Sequence, residues 1–154
     1  MAELLAKDIM TKKVVTVGKD TTLTELAKLL MKNKISGVPV IDEEKRLVGI
    51  VSEADIIVEK SSLPFPLSFS FAFLDKCESY TKNTKDFLNI RVEEIMSADV
   101  KTAREDMTVS KVVNIMINNN INRLPVINSD NKLVGIITRA DIMKSMIKES
   151  KIQQ

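Results

Sequence analysis

The chain has 154 residues, 44% hydrophobic and 29% charged, a globular composition with apolar material for one ordinary domain or two very small ones. Twenty-three Lys and Arg against 21 Asp and Glu leave a net charge of +2, interspersed along the chain, so the charge balance does not call for a nucleic-acid partner. With no His and a single Cys, Cys77, the chain cannot build a Cys/His zinc site, a Cys-His or Ser-His-Asp nucleophile, or an internal disulfide.

The start, Met1 to Lys7, has neither the basic segment nor the apolar run of a signal peptide. The longest uncharged stretch, Ser61 to Leu74, has 14 residues with two prolines and four serines, short of the roughly 20 apolar residues of a membrane span. A soluble, cytoplasmic protein without membrane contact is expected, the lone Cys fitting a reducing compartment.

Residues 8–56 align with 94–142 without a gap, and 18 of the 49 positions are identical, so the chain contains an internal duplication. Units of about 60 residues are marginal by surface-to-volume scaling, so the two halves are expected to pack on each other.

The copies open with Asp8-Ile9-Met10-Thr11 and Glu94-Ile95-Met96-Ser97, followed by brief extended stretches at Val14 to Val17 and Val100 to Ala103. A helix comes next. In the first copy Thr22 to Glu25 reads as a capping box, with Leu23, Leu26, Ala27 and Leu30 on one face; the second copy keeps the spacing with Val109, Val112, Val113 and Met116. This is ordinary helix packing rather than a cofactor box.

The helices are expected to end near Asn33-Lys34 and Asn119-Asn120. Strands follow at Val38 to Ile41 and Leu124 to Ile127; a Pro inside a strand belongs at its start or on an edge, so Pro39 and Pro125 suggest short strands entered through an irregular turn. Polar turns at Asp42 to Lys45 and Asn128 to Asn131 lead to Leu47 to Val51 and Leu133 to Ile137, which reads as a hairpin in each copy. Each copy then closes with the same words, Gly49-Ile50-Val51-Ser52-Glu53-Ala54-Asp55 and Gly135-Ile136-Ile137-Thr138-Arg139-Ala140-Asp141. A buried strand stopped by Ser or Thr, with Asp three places into a helix, is the pattern of a capping box. The same hydroxyl and carboxylate also sit where helix N–H groups favour an anionic ligand, so capping and ligand contact both remain open. The unit is strand, helix, strand, strand, helix, twice over.

The ordered set Asp8-Ile9-Met10, Ile35 to Asp42 and Leu47 to Asp55, all of it repeated, resembles a tandem pair of CBS domains, a Bateman module. The resemblance implies an α/β (α+β) fold in which two CBS repeats pack through their sheets about a pseudo-twofold axis, and commonly a homodimer. The repeats fall at 1–60 and 91–150, with an insert at 61–90 and a tail at 151–154. It also implies grooves between the repeats that hold AMP, ADP, ATP or S-adenosylmethionine reversibly, with no required cofactor, no metal and no catalysis. Carried over from the family, Ser52 with Asp55 and Thr138 with Asp141 take the ribose, an ionised carboxylate being an acceptor suited to two hydroxyls. Thr16, Val17, Ser36, Gly37 and Val38 match the groove and base positions of one copy, and Thr102, Ala103, Asn122 and Leu124 those of the other. The copies differ at Ser36-Gly37 against Asn122-Arg123. Arg suits forked contact with phosphate, which makes Arg123 the preferred phosphate ligand, with Arg139 and Lys132 as weaker candidates.

The insert departs from a minimal pair. Ser61 to Leu74 carries Phe65, Phe69, Phe71 and Phe73, with 69, 71 and 73 at strand spacing and Pro64 and Pro66 against a regular helix. It reads either as aromatics folded onto the repeats or as a surface for self-association or a protein target. The second functional reading is accordingly a ligand-independent interaction module acting through this insert. No catalytic domain is visible in the sequence, so a regulated target is expected to be another molecule.

Overall fold

The computed structural model describes residues 3–60 and 89–152, and the Phe-rich insert lies outside the described residues. The chain forms two compact units. One combines Met1–Val14, Glu44–Leu47 and Lys101–Gln154 and is called here the Asp141 unit; the other combines Val15–Glu43 with Val48–Val100 and is called the Asp55 unit. The sequence repeats and the folded units are thus different partitions. The segment that opens the first repeat folds with the strands of the second, and the segment that opens the second folds with the strands of the first.

In the Asp55 unit, α2 (Leu23–Asn33) starts at the expected capping box: Thr22 Oγ1 accepts from the Glu25 N–H at 3.2 Å, and Glu25 Oε2 accepts from the Thr22 N–H at 3.1 Å. It stops at Lys34, whose φ of 54° places it in the left-handed region. Leu23, Leu26, Ala27 and Leu30 are buried, as their spacing requires, against Val38 and Val40 of β1 (Gly37–Ile41) and Val51 of β2 (Leu47–Ser52). Each Leu contributes about 1.5–3 kcal/mol by leaving water. The two strands are neighbours in one sheet, and α3 (Glu53–Lys60) follows β2 directly. Val17 adds a parallel bridge to Val40 on the other edge of β1.

The Asp141 unit repeats this plan. Strand β3 (Ala103–Arg104) lies parallel to β4 (Arg123–Ile127), which pairs antiparallel with β5 (Leu133–Thr138), in the order β3-β4-β5. Helix α5 (Val109–Asn118) buries Val112 and Met116, while Val109 and Val113 are half-buried, and α6 (Arg139–Ile152) follows β5.

Each unit is completed by a one-turn helix from the opposite repeat, an element the sequence reading left as an unassigned lead-in. Helix α1 (Ala6–Ile9) buries Ala6 in the Asp141 unit, where its N–H donates to the Met107 carbonyl at 2.7 Å. Helix α4 (Val92–Ile95) buries Val92 in the Asp55 unit, where its N–H donates to the Thr21 carbonyl at 2.8 Å. Both turns are capped alike: Asp8 accepts from the Leu5 N–H at 2.9 Å and Glu94 from the Arg91 N–H at 2.7 Å.

Pro39 and Pro125 correct one expectation. They are the third residues of their strands, and β4 is central in its sheet rather than at an edge. The partner strand explains the tolerance. Pro125 lies opposite Ile136, and Ile136 directs its N–H and C=O outward to Thr11, at 3.0 and 2.8 Å, so no ladder bond is lost toward β5, while on the other side β3 begins at Ala103, opposite Val126, past the proline nitrogen. Ile50 does the same with Ser97, at 3.0 and 2.9 Å.

Candidate functional site

The motif that closes each repeat forms a strand-to-helix junction. Ser52 and Thr138 are the last residues of β2 and β5, and Asp55 and Asp141 are the third residues of α3 and α6. The carboxylate turns back onto the strand end. Asp55 Oδ2 accepts from the Ser52 N–H at 2.8 Å and from Ser52 Oγ at 3.3 Å; Asp141 Oδ2 accepts from the Thr138 N–H at 2.9 Å and from Thr138 Oγ1 at 3.1 Å. In the second junction the Asp141 N–H also donates to Thr138 Oγ1 at 3.4 Å, closing a reciprocal box. Capping is therefore a real duty of both aspartates. In Asp55 it uses one oxygen of the carboxylate.

The turn before the Pro-containing strand is brought to the same place. The Ser36 carbonyl accepts from the Glu53 N–H at 2.8 Å, and the Asn122 carbonyl accepts from the Arg139 N–H at 3.3 Å. These bonds use the first amide of each helix, one of the donors that a helix leaves without an intrahelical partner. Ser36-Gly37 thus lies beside Ser52 and Asp55, and Asn122-Arg123 beside Thr138 and Asp141. Arg123 stands directly across the sheet from Thr138 and is half-buried.

The remaining candidates separate into main-chain and side-chain cases. Val17, Val38, Ala103 and Leu124 belong to the two cores, so their side chains are occupied by packing and only their backbone remains for recognition. Thr16 and Thr102 are half-buried beside them. Val17 bridges Val40, on the opposite side of β1 from β2; Ala103 pairs with Val126, three residues along β4 from Arg123. These groups share a sheet with the junction but do not touch its hydroxyl or carboxylate through any hydrogen bond among the described residues. Arg139 is exposed at the first position of α6. Lys132 precedes the start of β5, bridging Arg46, and so sits at the opposite end of that strand from Thr138.

Sequence reading missed Thr11 and the two methionines before the junction glycines. Thr11 Oγ1 donates to Asp141, 3.2 Å from Oδ1 and 3.4 Å from Oδ2, across 130 positions of chain. The available signal was the match of Thr11 with Ser97 in the repeat, but nothing in the spacing places either residue beside the other repeat's aspartate. Met10 lies over Gly135 and Met96 over Gly49, so that a Cβ on either glycine would collide with the methionine sulfur. The Gly at the head of each junction is thereby explained by close approach, since neither has a positive φ.

The junction and its duplication define a class, and comparison with known proteins agrees. The CBS domain family model matches residues 6–61 and 92–148, and the chain belongs to that family. Protein MJ1426 of Methanocaldococcus jannaschii is 39% identical over 155 residues, spanning 94% of this chain and 92% of that protein. The inosine-5′-monophosphate dehydrogenase of the same organism is 32% identical over 139 residues, 90% of this chain but 23% of the enzyme. Among solved structures, the CBS domain pair of protein MJ0100 in complex with 5′-methylthioadenosine and S-adenosyl-L-methionine superposes with a TM-score of 0.74 at 29% identity, over 96% of this chain and 99% of that one. The fold is thus the mixed α/β arrangement of CBS pairs, with a small sheet in each unit.

Proposed function

We propose that this chain is a non-catalytic regulatory module that reversibly binds an adenine nucleotide or another adenosyl ligand. The observation that carries the reading is the junction geometry. In each unit a helix-capping carboxylate stands beside the turn before the Pro-containing strand and supplies the acceptor that a ribose diol needs. The adenosyl ligands bound by the MJ0100 pair support the same class. Ser52 and Asp55, and Thr138 and Asp141, are the ribose candidates. Ser36, Gly37 and Val38, with Asn122 and Leu124, are assigned to base and groove contacts, as are Thr16, Val17, Thr102 and Ala103. Arg123 is assigned to phosphate.

Isothermal titration with AMP, ADP, ATP and S-adenosylmethionine tests this. Saturable heat with at least one of them, reduced by Arg123→Ala for the phosphate-bearing ligands, is the expected result. Silence with all four, with no shift in melting temperature, overturns it.

A homodimer is part of the proposal. Met143, Met146 and Ile147 project from α6 at 62%, 63% and 53% exposure, at the spacing of one helix face, which supports contact with a second copy. The cytoplasmic setting belongs to the same reading; among the described residues no helix is long and apolar enough to cross a membrane. A protein target would receive the signal, because occupancy acts only through a difference in ligand affinity between two states of the regulated assembly. The alternative interaction through Phe65, Phe69, Phe71 and Phe73 falls on residues outside the described ones.

A further inference from the structure

Resting on the adenosyl-binding reading, we infer that the hydroxyl of Thr11 occupies the Asp141 carboxylate and so makes Asp55 the stronger of the two diol acceptors. A carboxylate offers about four lone-pair sites on two oxygens. At Asp141 the N–H and hydroxyl of Thr138 fill Oδ2, and the Thr11 hydroxyl sits on Oδ1 at 3.2 Å with a longer reach of 3.4 Å to Oδ2. At Asp55 both donors come from Ser52 and both fall on Oδ2. Among the described residues, Oδ1 of Asp55 accepts no hydrogen bond. Burial runs the same way, with Asp141 buried at 9% exposure and Asp55 half-buried.

The lead-in segments differ at the residue concerned, with Thr11 in the Asp141 unit and Ser97 at the matching place in the Asp55 unit. Thr11 and Ser97 are clamped identically by backbone pairing, Thr11 to Ile136 and Ser97 to Ile50. A β-branched threonine has few χ1 choices, and its hydroxyl is held on Asp141. Serine lacks that restriction, and the Ser97 hydroxyl makes no hydrogen bond among the described residues. A ribose diol approaching Asp141 must displace an existing charge-assisted bond, whereas at Asp55 it meets an open oxygen. Thr11 is thus a positioning residue that makes duplicated sites unequal.

The test is titration of the full chain with AMP, with S-adenosylmethionine in parallel. The variants are Asp55→Asn, Asp141→Asn, Thr11→Val, Thr11→Val with Asp141→Asn, and Ser97→Thr. The Asn changes keep an oxygen for the cap, and melting temperatures verify folding. With S-adenosylmethionine, which has no phosphate for Arg123, Asp55→Asn should weaken the tighter site about tenfold or more, as expected for loss of a charged acceptor, and Asp141→Asn by a smaller factor. Thr11→Val should tighten the weaker site, and adding Asp141→Asn should cancel the gain. Ser97→Thr, which imports the methyl into the Asp55 unit, should weaken the tighter site. Equal losses from the two Asn variants, tighter-site affinity unmoved by Asp55→Asn, or weaker binding in Thr11→Val would each overturn the role of Thr11 while leaving ligand binding standing. No binding of either ligand by the wild type or by Thr11→Val would overturn the inference together with the adenosyl reading.

Discussion

The two strand-to-helix junctions have nearly the same sequence and the same cap, yet different surroundings. Among the described residues, the Asp55 carboxylate bonds only to its own helix start; at Asp141 it also ties down a segment from the far end of the chain. Duplication supplies two copies of a capping device, and one substitution outside the motif, Thr11 against Ser97, decides what else each copy does. Opposite each junction the copies diverge again, with Arg123 across from Thr138 where the first repeat has Gly37. The Asp141 unit thus has Arg123 and a carboxylate engaged on both oxygens, while among the described residues the Asp55 carboxylate is engaged on one.

The comparison can be broken most forcefully in the cores. Leu124 and Val38 occupy matching positions and both are fully buried. Leu124→Ala is expected to cost about 2–5 kcal/mol and Val38→Ala less, because the smaller side chain leaves the smaller cavity. Urea denaturation of the two variants measures this, and an equal or reversed order would show that the two cores are not packed alike.

A smaller effect is expected where the methionines meet the glycines. Gly135→Ala places a methyl against the Met10 sulfur and should cost about 1–3 kcal/mol, the range for overpacking. Adding Met10→Ala should recover part of that loss in a double-mutant cycle, since the side chains are in direct contact. Simple additivity of the two changes would contradict the close approach. Gly49 with Met96 offers the same cycle in the Asp55 unit.

The smallest effect sharpens the asymmetry itself. Asp141→Ala removes the helix cap and the tie to Thr11, while Asp55→Ala removes a cap alone. Both should destabilise, Asp141→Ala by about 1 kcal/mol more, the net worth of one further hydrogen bond. Thermal melting of the two proteins, each followed with Thr11→Val added, checks whether Thr11 accounts for the difference.

Much of this architecture is legible in the amino-acid sequence because its causes are local. The capping box at Thr22 and Glu25, the buried face Leu23, Leu26, Ala27 and Leu30, the polar turns and the carboxylate three residues after Ser52 or Thr138 each arise from residues a few positions apart. Chemistry at that range is set by helix and strand periodicity. The duplication and the CBS family followed from the order of those local signals, as did the choice of Asp55 and Asp141 as candidates. The exposure of Arg139 and the remoteness of Lys132 from the junction were not legible, since both depend on where β5 begins and ends.

Tertiary structure alone decided the pairings that cross the repeats. That Ala6 belongs with Met107, Val92 with Thr21, and Thr11 with Ile136 and Asp141 cannot be read from spacing, because a one-turn segment carries too little periodicity to name its partner. Backbone satisfaction settles it: the outer edge of β5 needs a partner for Ile136, and β2 needs one for Ile50. Thr11 and Ser97 meet those needs, and in doing so place one hydroxyl on one aspartate.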